Sequence, residues 1–305
     1  MKRLINCIIT VCCIFSGILY AEEEQIKPEI QKSKFEPKYE LIIRRQSSVI
    51  EPLESKWFEE KYALFIDNRN KRTTNIYFGL KFFLPKINSY IETNFYELKK
   101  SDLSKSTLYC SKNDCYIKDF SIGSYYRFDT ELNLIWNVYS DKVGIGGGLR
   151  YINSNLSLNQ GDSFYLYLGS HSFGPQLSLR FRTPAFYNFY ISGKFNYFYL
   201  FGDLVIRNGY GDPRTFLGYN ELDNESKSTY IGKELEVVLN YSISDQIVIS
   251  WGAGILGAVA KPKTKDLHSF DPSYDLSRNL GLRVFGGILY TDYIYNAFIQ
   301  MSFKI

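Results

Sequence analysis

From Asn75 onward the chain alternates apolar and polar positions with a period of two. Ile76, Phe78, Leu80, Phe82 and Leu84 fall on one face, and Tyr77, Gly79, Lys81 and Phe83 on the other. The pattern returns around Leu132 to Tyr139, Val143 to Tyr151, Leu177 to Phe181, Tyr187 to Phe201 and Leu235 to Ile243. Successive side chains of a strand point to opposite faces, so this repetition predicts half-exposed β-strands across 75–305. Twelve can be drawn, at about 75–85, 89–99, 116–128, 131–139, 143–152, 163–169, 174–182, 186–201, 229–243, 246–260, 278–289 and 294–305. Asp129-Thr130, Thr183-Pro184 and Ser244-Asp245 read as tight turns at one end, with 202–228 and 261–277 as long loops at the other. Twelve strands would put those turns and loops at the wrong ends relative to the C-terminus. The expected count is therefore ten to twelve.

The first 74 residues break this pattern. Lys2 and Arg3 precede an apolar run from Leu4 to Tyr20 that ends at Ala21 and gives way to Glu22, Glu23 and Glu24. That order predicts a secretory signal peptide over 1–21. Residues 22–74 hold Pro28, Pro37 and Pro52 among many Glu, Lys and Arg residues. They read as an exported periplasmic linker, with a short helix near Trp57 or an extra strand at Tyr39 to Ile43 or Tyr62 to Ile66 as alternatives. The alternating domain then begins at Asn75.

Composition turns strands into a membrane barrel. The chain has 26 Tyr and 23 Phe against three Trp and two Met, a balance that suits strands better than helices. After Ala21 no apolar run approaches the ~18 residues of a spanning helix. A chain this polar can still sit in lipid if every second residue faces the lipid and the sheet closes on itself. The long strands at 186–201 and 247–260 favour spanning over a soluble sandwich, as do the aromatics crowding strand ends at Tyr125, Tyr126 and Phe128. The fold class is all-β, a transmembrane antiparallel barrel of 10–12 strands with an N-terminal exported linker.

The end of the chain adds a resemblance. Tyr295, Ala297, Ile299, Met301, Phe303 and Ile305 alternate with Asn296, Gln300, Ser302 and Lys304, and the sequence stops there. This resembles the closing strand of bacterial outer-membrane β-barrel proteins, although Ile305 stands where those end in Phe. The resemblance covers about residues 75–305 and implies a bacterial outer-membrane location. It also implies that Phe303 and Ile305 form a signal read by the barrel-assembly machinery.

Charge and chemistry narrow the function. The formal net charge of +4 falls to +2 once Lys2 and Arg3 leave with the signal, which argues against a nucleic-acid partner. Cys110 and Cys115, left after the signal is removed, are expected to form a disulfide, since an exported close pair without a nearby His is poor metal-binding material. No cofactor or metal is implied. His171 and Ser172 are adjacent, so on a strand they point apart and cannot make a nucleophile–base pair. His268 lies between carboxylates in a loop, and a solvated residue explains it best. The chain is accordingly read as a non-enzyme, with an outer-membrane hydrolase as the weakest of three functions. Lys81, Asp119, Arg127, Arg150, Arg180, Arg182, Lys194, Glu234, Glu236 and Arg283 are expected to line a narrow porin-like channel for small solutes. The alternative is a non-conducting surface protein whose same charges pair internally and whose outer loops bind an external partner.

Overall fold

The computed structural model describes residues 37–51, 72–110, 115–139, 142–160, 164–210, 222–262 and 290–305. They form ten strands: β1 (Tyr39–Glu51), β2 (Arg72–Leu84), β3 (Ser89–Cys110), β4 (Cys115–Tyr139), β5 (Val143–Gln160), β6 (Phe164–Arg182), β7 (Phe189–Tyr210), β8 (Leu222–Ser242), β9 (Ile247–Pro262) and β10 (Tyr290–Lys304). Each pairs antiparallel with its sequence neighbours, and β10 pairs with β1 from Lys304↔Glu40 to Tyr293↔Glu51. The sheet closes with no edge left in the lipid zone, which is what a bilayer demands of backbone donors and acceptors.

Three boundaries differ from the sequence expectation. The barrel starts at Tyr39 and not at Asn75: the alternative of an extra strand at Tyr39 to Ile43 holds, and the strand runs on to Glu51 as β1, closing the sheet between β10 and β2. Asp129-Thr130 is no turn: both pair within the continuous β4, where 116–128 and 131–139 had been separate strands. Likewise 163–169 and 174–182 join in β6 through Ser170-His171-Ser172-Phe173, which pair with β5 and make no turn. Both errors came from reading turn-prone residue types as turns where a long ladder outweighs local preference. The signal segment and the expected strand at 278–289 lie outside the described residues.

With ten strands the turns fall into place. The start of β1 and the end of β10 share one end with the short connections between β2 and β3, β4 and β5, β6 and β7, and β8 and β9. Two of these turns use the left-handed region, at Asn88 (φ 49°) and at Tyr187 (φ 46°) and Asn188 (φ 68°). Short turns mark the periplasmic end of outer-membrane barrels. The opposite end is the outer one. There β3 and β4 run to 22 and 25 residues, whereas β1 and β2 have 13 each. A tilted span needs only ~9–11 residues, so β3–β8 extend beyond the lipid as a tall wall on one side.

The register fixes the tilt. Following paired residues from Asn240 through Ser250, Gln300, Arg44, Tyr77, Tyr96, Asp129, Ile152, Ser172 and Gly202 leads back to β8 at Ser228. The displacement from 240 to 228 is 12 residues, which for ten strands gives a tilt of about 40°. Glycines allow close approach: a Cβ at Gly148 would lie 1.9 Å from the Leu132 carbonyl oxygen and 2.5 Å from Asn133 Oδ1. Gly146 makes the same room beside Ile135.

Candidate functional site

Alternation along the strands sorts the side chains onto two walls. The outer wall carries Leu132, Leu134, Trp136, Leu149, Leu177, Leu235 and Ile299, all exposed. Aromatics bound this belt. Tyr39 against Phe82 (5.3 Å) and Phe189 against Tyr241 (4.6 Å) lie near the periplasmic end. Phe128 against Tyr151 (6.4 Å) and Tyr199 against Phe201 (5.0 Å) lie near the outer end. An apolar band about 25 Å tall between aromatic girdles is the membrane surface of a barrel.

The inner wall is the reverse, charged and buried. Near the periplasmic end Lys81 Nζ meets Glu40 at 3.4 Å, and Arg180 reaches across the lumen from β6 to Glu92 on β3 at 2.8 Å. One level further out, Arg44 on β1 holds Glu236 on β8 through two bonds of 2.7 and 2.8 Å. Its guanidinium lies over Phe298 at 3.7 Å and Tyr77 at 4.2 Å. Lys194 Nζ bridges Glu131 (3.3 Å) and Glu234 (3.0 Å) from β7. Arg150 on β5 binds Asp129 through Nε (2.9 Å) and Nη2 (2.8 Å) and Glu234 through Nη1 (2.7 Å). Outermost, Arg127 on β4 bonds Asp129 (3.1 Å) and reaches Asp292 on β10, which also accepts the Tyr230 hydroxyl.

Five of these contacts, Arg180–Glu92, Arg44–Glu236, Lys194–Glu131, Arg150–Glu234 and Arg127–Asp292, join strands three or four places apart and cross the lumen, while Lys81–Glu40, Arg150–Asp129, Arg127–Asp129 and Lys194–Glu234 run along its wall. Asn94, Gln176 and Asn196 fill the spaces and donate to the carboxylates, as in Asn196 Nδ2 to Glu131 at 3.0 Å, and Asn133 Oδ1 accepts from Gln176 and Ser178. A buried charge is tolerated when paired and hydrogen-bonded, and Arg127 and Arg150 are 0 % and 1 % exposed.

Toward the outer end the inner wall turns apolar. Leu98 pairs with Arg127 in the ladder, Ile152 and Leu200 lie close to that level, and Tyr125, Leu156 and Leu204 lie beyond it. Leu98, Leu156 and Leu200 are all completely buried. The interior is thus an ion-paired stack under an apolar lid of side chains.

Of the residues expected to line a pore, Lys81, Arg127, Arg150, Arg180, Lys194, Glu234 and Glu236 face the interior and engage acids or bases there. Arg182 sits at the periplasmic mouth with its guanidinium 4.0 Å from the Tyr190 ring. Asp119 and Arg283 fall outside the residues whose side chains are described. Arg44, Glu92, Asp129, Glu131 and Asp292 complete the stack and were missed. Arg44 was hidden by the linker reading and Asp129 by the turn reading. The visible signal was the run Arg127, Asp129, Glu131, Asn133, polar at every second position straight through the supposed turn.

His171 faces outward and Ser172 inward, so they form no catalytic pair. His171 instead stands opposite Asp203 in the ladder, and Asp203 binds Lys227 at 2.8 Å. Two residues below, the same ladders carry Phe173 and Phe201. The switch from aromatic to charged marks the outer lipid boundary on β6–β8. Cys110 and Cys115 are paired in register at the ends of β3 and β4, though their side chains are not among those described. Phe303 lies in β10, opposite Leu41 of β1 and Ile247 of β9.

No family model matches the chain, and no curated protein sequence matches it. Solved structures do. The outer membrane protease OmpT from Escherichia coli matches with a TM-score of 0.50 at 9% identity, covering 90% of this chain and 99% of that one. The toluene transporter TodX from Pseudomonas putida matches at 0.34 and 9% identity, over 88% and 89% of the two chains. The monoaromatic hydrocarbon channel CymD matches at 0.37 and 8% identity, over 89% of each. The fold is that of the bacterial outer-membrane β-barrels.

Proposed function

We propose that this chain is a closed, non-conducting outer-membrane barrel that holds its outer strands and loops up to a partner outside the cell. The observation that supports this most is the stack of cross-lumen ion pairs under the apolar lid. A conducting lumen is lined by charges that keep their water, whereas here Arg44, Arg127, Arg150 and Lys194 are buried in contact with carboxylates. Of the charges expected from the sequence to line a narrow pore, Lys81 near the periplasmic mouth keeps partial exposure, while those at mid-barrel leave little surface to water. The height difference between β3–β8 and the remaining strands supports the display half of the reading, since that wall reaches past the girdle into the surroundings. A protease reading, which the name of OmpT invites, gains no support from His171, the one described histidine, because it faces outward. In the same reading Phe303 and Ile305 serve as the assembly signal, at the strand that closes the sheet onto β1.

Planar-bilayer recording tests the function. The purified barrel, inserted and heat-modifiable, is expected to give no steady conductance. Stepwise conductance that persists with salt would restore the channel.

A further inference from the structure

Arg45 places a charge in the apolar part of the outer wall. Arg44 points inward to Glu236, so Arg45, the next residue, must point at the lipid, and it is exposed. Its ladder neighbours are Ile76 on β2 and Ile299 on β10, both more than half exposed. It lies six residues from Tyr39, about 15 Å up the tilted strand, and so near mid-depth of an apolar band of about 25 Å. Among the described residues it makes no ion pair. One strand beyond Ile76, β3 presents a second exposed charge, Glu97, which follows Tyr96, the partner of Tyr77. Arg45 and Glu97 therefore flank Ile76 on either side, about 10 Å apart across two strand spacings. The tilt sets Glu97 about 6 Å higher, a rise that an upward-leaning guanidinium spans.

We infer that the β1–β2–β3 face is the interface of a homodimer within the membrane, with Ile76 on the two-fold axis. A two-fold axis along the membrane normal turns one side of the face onto the other, so β1 of one copy meets β3 of its partner. Arg45 of each copy then reaches Glu97 of the other, and both charges leave the lipid. The surroundings fit a close approach: Phe78 stacks on Phe95 at 5.3 Å and leaves a flat surface below Ile76, while Ser47 and Thr74 are small residues above it. A second copy is favoured over an unrelated partner because the face supplies both members of the ion pair itself. A monomer in which Arg45 stretches to lipid headgroups is the competing outcome.

The test is disulfide trapping in membranes, in the full-length exported protein with Cys110→Ser and Cys115→Ser. Ile76→Cys should cross-link to its own copy on mild oxidation, and Leu177→Cys on the far wall should not. Arg45→Glu alone and Glu97→Arg alone should each reduce the Ile76→Cys cross-link about tenfold or more. The double exchange Arg45→Glu with Glu97→Arg should restore it. All variants are checked for the heat-modifiable barrel. Cross-linking at Ile76→Cys no greater than at Leu177→Cys, or a folded double exchange that stays monomeric, overturns the dimer.

Discussion

The two walls of one strand obey opposite rules. On β4, Leu132 and Leu134 are about half exposed, while Asn133 between them is fully buried. A soluble sheet would invert that order. The difference shows that here exposure means lipid contact: an exposed leucine behaves as a core residue, and a buried arginine behaves as part of a polar framework. The outer wall asks little of geometry, because any apolar side chain satisfies lipid. The inner wall asks a great deal, since each charge must find a partner inside it, and Asp129 serves both Arg127 and Arg150.

The sharpest way to break this comparison is to unbalance the inner wall. Arg150→Met removes one of the two cations that hold each of Asp129 and Glu234 and leaves both buried carboxylates under-compensated, which should cost about 3–5 kcal/mol. Urea unfolding in lipid vesicles followed by heat-modifiability measures it, and a near-neutral effect would show that water already solvates the lumen. Next comes the outer wall. Leu177→Arg places a charge at mid-depth and should cost about 2–4 kcal/mol, although a substitution at so exposed a site in a water-soluble protein is usually within about 0.5 kcal/mol.

How much of this was legible beforehand follows the same division. Lipid-facing alternation is local, so Ile76 to Leu84, Leu132 to Val138 and the terminal Tyr295 to Ile305 declared their strands and faces directly. The cross-lumen partners were not readable. Arg44 and Glu236 are 192 positions apart, and nothing in either segment names the other. Even the sign of function turned on this, for the same Arg150 and Glu234 line a pore if apart and seal it if joined. Turn propensity at Asp129-Thr130 and the proline-rich context of β1 hid two strand segments whose inward residues complete the stack.

Smaller effects sharpen the boundary between the walls and the outer end. Replacing Cys110 and Cys115 together by Ser should cost about 2 kcal/mol or less by the chain-entropy view of so short a loop. The barrel should still insert, with the β3–β4 tip cut faster by protease. Mass spectrometry of the unreduced protein checks the bridge itself, and two alkylatable thiols would refute it. Smallest of all, His171→Lys lies two residues above Phe173 on the same outer wall and should change stability by less than about 0.5 kcal/mol. A loss comparable to Leu177→Arg would move the lipid boundary outward past His171.

The closed lumen is tested most directly by thiol accessibility inside it. Ser178 and Ser250 are buried on the inner wall, where they bond Asn133 (3.1 Å) and Asn240 (2.8 Å). Ser178→Cys and Ser250→Cys, with Cys110 and Cys115 replaced by Ser, change each site by one atom. In folded protein a small charged thiol reagent applied from both faces should leave both cysteines unmodified while labelling His171→Cys readily. Modification of Ser178→Cys or Ser250→Cys at the rate of His171→Cys would mean a water-filled passage and would contradict the sealed, ion-paired interior.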